Sequence, residues 1–483
     1  MHDIATRLKM SLAAKAVLFG VSLLLLEGCR PSRVPSAYSR PNMVVILVDD
    51  MRWDEYAAAG HTYIKTPHID RLVKEGITFK NAFCTTPLCS PSRASFLTGQ
   101  YAHTNGIIDN LARDTQSHKL VTFPKMLHDA GYLTGFIGKW HMGNDNTRRP
   151  GWDYWASLKG QGEAENPNLN INGTEQQLQG YVTDILMDQA LKFIRASNDK
   201  PFLLYLSHKA LHPNVVQRND GSVGDIGQGG FVPAPRHKGM YDSSVFDRRA
   251  NYAIIPTDKP ALLRQIDSLP PLGIATATKE KTIQERAEML MAVDEGVGSL
   301  LKVLEDQGTL DQTVIVFTSD HGFFYGEHGL DEERRLAYEE SIRIPMIIRY
   351  PPIIKAASQS DHMILSVDIA PTLLAIARVQ SESVMHGKSF LPLFNNVVNE
   401  WRTTILLEYY SDRVFPRIRN MGYKAVRTDR YKFIHYLELV GMDELYDLQH
   451  DPFELKNLFN DIASHSILME MQDKLNEQLI LTQ

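Results

Sequence analysis

A cysteine at position 89 stands in the run Cys84-Thr85-Thr86-Pro87-Leu88-Cys89-Ser90-Pro91-Ser92-Arg93, which continues to Thr98-Gly99. Pro91 fits the first turn of a helix, where its fixed φ suits the backbone and its missing N–H is not needed. Cys89 then lies at the mouth of that helix, whose free N–H groups and partial positive charge favour a thiolate or a bound oxyanion. Arg93, four residues on, projects from the same face and adds a planar cationic fork. An isolated cysteine beside a helix start is more often a buried structural residue; here the whole spacing argues for chemistry.

Two strand-end pairs, one Asp-Asp and one Asp-His, offer a second kind of chemistry. Asp49-Asp50 and Asp320-His321 each follow an apolar run, and adjacent buried carboxylates repel unless a cation or a proton intervenes. Either pair alone reads equally well as an Asx turn or helix cap, whereas the two together favour a divalent-cation site. In Lys139-Trp140-His141 an extended backbone places the two polar residues on one side and the tryptophan on the other. His212, between Leu211 and Pro213, is a further candidate; His208 competes with it, and Lys209 reads as a surface charge.

The elements that must position these groups follow an α/β pattern. Short apolar runs rich in β-branched residues recur at Met43 to Val48, Tyr132 to Ile137, Phe202 to Leu206, Thr313 to Phe317 and Ile344 to Ile348. Between them lie helical stretches, one capped by Thr183 with a stripe of Leu186, Ala190, Phe193 and Ile194, another from about Ile283 to Leu304. The alternation predicts a large, mostly parallel central sheet covered by helices on both faces. Four of the strands deliver their polar residues at their carboxyl ends, where open α/β sheets bind ligands. Residues 144–181 and 213–272 lack sustained periodicity and are expected to be loops walling a substrate pocket, with Arg236, His237, Arg248 and Arg249 as weak candidates for meeting an anionic sugar. Near the end, Tyr423 to Arg427 and Tyr431 to Tyr436 form a hairpin signal. The expected division is a leader and tether over 1–40, a catalytic domain over 41–395 and a smaller antiparallel subdomain over 396–483.

Composition sets outer bounds. A chain of 483 residues with 43% hydrophobic content can bury a large core, and a net charge of −6 argues against a nucleic-acid binder resting on bulk charge. Arg7 and Lys9 precede an apolar stretch to Leu26, the pattern of an export signal. Leu26-Glu27-Gly28-Cys29 resembles a bacterial lipoprotein box, which implies a membrane anchor through acylated Cys29 and a periplasmic or outer-membrane-tethered protein; simple secretion is the alternative. Only Cys84 and Cys89 then remain, so the exported chain must stand on its core rather than on disulfides.

The pattern Cys-x-Pro-x-Arg with its following Thr-Gly, the Gly138-Lys139-Trp140-His141-Met142-Gly143 segment and the strand-end acids together resemble the type I sulfatases, over essentially Asn42 to Asn460. The resemblance implies an alkaline-phosphatase-like α/β fold and a Cys89 oxidised after translation to formylglycine by a maturation enzyme. It implies one Ca2+ bound by Asp49, Asp50, the residue at 89, Asp320 and His321. Arg93 and Lys139 would hold the sulfate, His141 would act on the formylglycine hydrate and His212 would protonate the leaving group. In the block from Arg334 to Pro345 the family usually carries Lys four residues before Tyr338; Arg334 stands there, a substrate-binding candidate whose guanidinium is a poor proton donor. The implied substrates are sulfated carbohydrates, and the run from Gln100 to Asn110 is similar to that of carbohydrate sulfatases, N-acetylglucosamine-6-sulfatases among them. A phosphonate or phosphodiester hydrolase of the same superfamily and a non-catalytic lipoprotein that binds sulfated glycan are the alternatives.

Overall fold

Seven successive residues, Asn42–Val48, make the central strand β1, and their alternation divides the molecule. Met43, Val45 and Leu47 enter one hydrophobic core and Val44, Ile46 and Val48 the other, as the two-residue period of a strand buried on both faces requires. The computed structural model describes residues 40–483 except 198–199, 225–229, 267, 396–397, 399 and 412–413. The export and lipoprotein signals, with Cys29, therefore lie outside the described residues. Among the described residues no helix is long and apolar enough to cross a membrane.

The main sheet has ten strands. In chain order they are β1, β2 (Ile77–Phe79), β3 (Leu133–Lys139), β4 (Tyr154–Leu158), β5 (Asn168–Ile171), β6 (Thr174–Gln177), β7 (Phe202–Ser207), β8 (Thr313–Ser319), β9 (Met346–Arg349) and β10 (Ser358–Ser360). Their spatial order is β10-β2-β9-β8-β1-β7-β3-β4-β5-β6. The central five, β8 to β4, are parallel neighbours. Antiparallel pairs flank them, β8 with β9 on one side and β4 with β5 on the other. The sheet is thus mostly parallel, as expected, but two details differ. β3 runs two residues further than its apolar run, so Lys139 ends the strand rather than following it. The region 144–181 carries three strands: β5 puts Leu169 into the core, and β6, exposed throughout, pairs with it at the sheet edge, where no apolar period is needed.

The four longest helices among the described residues are α1 (Cys89–Thr98), α2 (Val182–Ala196), α3 (Glu280–Asp306) and α4 (His465–Leu481). α1 is buried along its whole length, and Phe96 and Leu97 join the core on the face of Met43. α2 and α3 pack on the opposite face through Leu186, Ala190, Phe193, Ala287, Leu290 and Val297. Thr183 sits inside the first turn of α2 rather than capping it; the cap position belongs to Tyr181, whose backbone is extended. The chain ends in a four-stranded antiparallel sheet of β11 (Thr404–Tyr409), β12 (Tyr423–Thr428), β13 (Tyr431–Tyr436) and β14 (Glu444–Asp447), in that spatial order. α4 contributes Leu468, Met471 and Leu475 to the core that includes this sheet.

Candidate active site

Carboxyl ends of neighbouring strands and the mouth of α1 meet at one place. β1 ends into Asp49 and Asp50, and Asp50 takes φ +60°, which turns the chain away from the sheet. The Asp49 amide donates to the Ala210 carbonyl at 2.8 Å, tying this turn to the segment after β7. β8 ends into Asp320 and His321. The Asp50 amide donates to Asp320 Oδ1 at 3.0 Å, so the two strand ends are locked together. Cys89 is the first residue of α1, 2% exposed, and its Sγ lies 3.4 Å from His321 Nε2.

Arg93 is the hub. Its Nε and Nη2 approach Asp320 Oδ2 at 3.0 and 2.9 Å, its Nη2 lies 3.3 Å from Asp49 Oδ1, and its Nη1 donates to the Lys139 carbonyl at 2.8 Å and to Ser207 Oγ at 2.6 Å. Lys139 Nζ donates to Asp49 Oδ2. Burial pushes the Asp49 carboxyl up, but Lys139 and Arg93 overcome it and hold the group well below its ordinary range. Asp320 moves the other way, raised by burial and by the neighbouring Asp49 charge.

Asp49, Cys89, Asp320 and His321 each offer a ligand atom, and those atoms lie within 4.8 Å of one another. Asp50, expected as a fifth ligand, falls outside this cluster: its Oδ1 accepts from Arg334 Nε at 2.7 Å and lies 3.3 Å from His321 Nε2. Charge alone does not demand a metal, since Arg93, Lys139 and Arg334 face the three carboxylates. Hydrogen bonding argues for one. Asp50 Oδ2 and, its 3.3 Å ion pair with Arg93 aside, Asp49 Oδ1 are buried without a hydrogen-bond partner, a costly state for carboxylate oxygens that a hard cation would relieve. The donor set therefore fits a divalent cation.

His212 lines the cavity beside Cys89 together with Gln161, Arg334, Arg335 and Glu332. Its Nδ1 pairs with the Pro213 carbonyl at 2.8 Å, and burial and the Lys139 charge lower its pKa. His208 is buried with neither ring nitrogen partnered and does not line that cavity. Lys209 is no surface charge: it is 1% exposed and donates to the same Pro213 carbonyl at 3.0 Å, and burial brings its pKa down to about 7. His141 takes φ +60° and its Nε2 pairs with Gln217 Oε1, leaving Nδ1 buried and unpartnered. Arg236, His237, Arg248 and Arg249 instead form ion pairs with Asp184, Glu295, Glu280 and Asp54.

Sequence reasoning missed Arg286. Fully buried on α3, it donates to the carbonyls of Asp50 at 2.8 Å and Leu211 at 3.1 Å and pairs with Glu55 at 3.0 Å. It thus clamps the acidic turn to the His212 segment. The signal was present: a charge beside Ala287, on a helix otherwise read for its apolar stripe.

Residues 41–379 match the sulfatase family, and residues 326–480 match the N-sulphoglucosamine sulphohydrolase C-terminal family. This chain belongs to the sulfatase family. Sulfatases are sulfuric ester hydrolases, and the chain shares the alkaline-phosphatase-like architecture of its sulfatase neighbours. An N-acetylglucosamine-6-O-sulfatase of Bacteroides thetaiotaomicron is 31% identical over 91% of this chain and 86% of its own length. An N-acetylglucosamine-6-sulfatase of Capra hircus is 30% identical over 92% of this chain and 83% of its own. A solved protein in complex with its substrate D-glucosamine-2-N,6-O-disulfate has a TM-score of 0.79 at 30% identity, covering 92% of this chain and 98% of that one. Within this sulfatase, His321 and Arg334 are the positions to watch. Both contact Asp50, so the departure at Arg334 is built into the acidic turn.

Proposed function

We propose that this sulfatase removes sulfate from a sulfated amino sugar, with position 89 as formylglycine and Ca2+ beside it. The observation that carries the reading is the convergence of Cys89, His212 and Arg334 on one cavity backed by the Asp49, Asp320 and His321 cluster. The named substrates of the similar proteins supply the sugar class. Formylglycine at 89 would supply the oxygen nucleophile toward sulfur, and Ca2+ held by Asp49, Asp320, His321 and the residue at 89, with the adjacent Asp50 carboxylate, would offset charge on the sulfuryl oxygens.

The chain's own residues do the rest. Arg93 and Lys139 fix Asp49 and Asp320 and supply positive charge to the sulfuryl group. His212 donates its Nδ1–H to the Pro213 carbonyl, so the proton given to the leaving alcohol is a second one, carried at Nε2 by the imidazolium that the negatively charged sulfate ester would favour. His141 holds its proton at Nε2 against Gln217, so its unpartnered Nδ1 is the acceptor for a hydroxyl proton at position 89. Arg334 steadies Asp50 and adds charge at the cavity wall. We further assign the leader to export, with a lipid anchor at Cys29, and treat 41–395 and 396–483 as catalytic domain and subdomain. The test is sulfate release from N-acetylglucosamine-6-sulfate by protein co-produced with a formylglycine-generating enzyme. Release by that protein and none by Cys89→Ala is expected; equal release by both overturns the reading.

A further inference from the structure

Gln161 occupies an unusual position. It is 4% exposed, its Oε1 has no hydrogen-bond partner, and its side chain lines two cavities at once. One is the cavity beside Cys89. The other is a cleft of about 300 Å3, at the low end of ligand pockets, which also shares Val215 with the first. Gln161 is thrust into the junction by a tight turn: Gly160 and Gly162 on either side take φ +55° and +69°, and the Gly162 amide donates back to the Lys159 carbonyl at 2.9 Å. Its Nε2 donates to Gln217 Oε1 at 2.7 Å, and Gln217 Nε2 donates to the Asn110 carbonyl at 2.6 Å. Only the carbonyl end of Gln161 is left over, an acceptor facing no donor of the chain.

The chemistry of the second cleft differs from the first. Asn144, Asn168 and Asn219 join Gln161 and Gln217 on its walls, and Asn144 Nδ2 donates to Asn219 Oδ1 at 2.6 Å. Its charged side chains, Lys159 and Glu163, are exposed and of opposite sign. Carboxamides both donate and accept, matching hydroxyls, whereas a second sulfate would call for cations without a neighbouring acid. We propose that this cleft is a second sugar subsite, holding an uncharged, hydroxyl-bearing ring joined to the sulfated ring in the Cys89 cavity, with a ring hydroxyl or N–H donating to Gln161 Oε1. The inference rests on the sulfated-sugar reading and adds that the preferred substrate is at least a disaccharide.

Calorimetry on protein carrying Cys89→Ser reads this directly. The ligands are N-acetylglucosamine-6-sulfate and a disaccharide in which that sugar is linked to unsulfated N-acetylglucosamine. The disaccharide should bind about tenfold more tightly, the scale of one or two net hydrogen bonds. A second protein adding Asn144→Ala and Asn219→Ala, both rim positions, should lose that advantage while binding the monosaccharide as before, with an unchanged melting midpoint. No preference for the disaccharide, or equal weakening of both sugars in the second protein, overturns the subsite. Sulfate release by the unsubstituted protein is the separate readout of the hydrolytic reading; its failure with the disaccharide preference intact would remove hydrolysis and leave the cleft.

Discussion

Arg334 lines the cavity beside Cys89 and donates to Asp50 Oδ1 at 2.7 Å and to the Glu332 carbonyl at 3.2 Å. A guanidinium does not release a proton at working pH, and one engaged by a buried carboxylate is held still more firmly. In the proposed mechanism the leaving oxygen is therefore protonated by His212, whose Nδ1 is committed to Pro213. His212→Asn should therefore lower kcat for a sugar sulfate by about 10²- to 10⁴-fold, the range of general acid catalysis. An aryl sulfate whose phenol leaves without help should lose far less. Steady-state kinetics on the two substrates checks this, and an equal loss on both would move the proton donor elsewhere.

At the scale of elements, the site depends on how closely β3 and β7 approach. Gly138, one residue before the end of β3, takes φ +117°, and a Cβ there would stand 1.8 Å from the Ser207 carbonyl oxygen. Ser207 Oγ in turn holds the Lys139 carbonyl and receives Arg93, so pushing the strands apart displaces the hub of the site. Gly138→Ala should cost about 3 kcal/mol or more from backbone strain and clash together, seen as an earlier urea midpoint, and should depress activity in the protein that still folds. The strand ends were legible in the sequence because each apolar run stops abruptly at acids, lysine or histidine, and α1 was legible because Pro91 fixes where a helix can begin. The short outer strands β5 and β6 were not, since four residues each, with Leu169 and Ile171 the apolar ones, leave no sustained alternation. Lys209 was misread because a lysine beyond a strand end is usually solvated, and nothing local shows that Pro213 folds back over it. Gln161 and Gln217 carry no periodic signal at all; loops that return 56 residues apart bring them together.

Several carboxyls inside the fold resist ionisation, the buried Asp294 and Glu340 and the half-buried Asp331 among them. Burial pushes Asp331 up from 3.8 to about 7, although Thr278 Oγ1 donates to it at 2.7 Å. The folded state then keeps a proton that the unfolded chain has lost, so this contribution is fully present below pH 3.8 and is lost as pH rises through about 7. Asp331→Asn keeps the acceptor without the charge. Relative to the unsubstituted protein its unfolding free energy should be larger at pH 8 than at pH 5, that is, the variant gains stability at the higher pH, measured by denaturant titration at both; a difference independent of pH would contradict the assignment. The proposed reaction depends on what stands at position 89. The most direct measurement is the mass of the tryptic peptide Asn81 to Arg93, from protein made in a host with the maturation enzyme and treated with a carbonyl reagent. The account predicts an aldehyde at 89, captured by the reagent. An unmodified thiol in protein that still releases sulfate would contradict it.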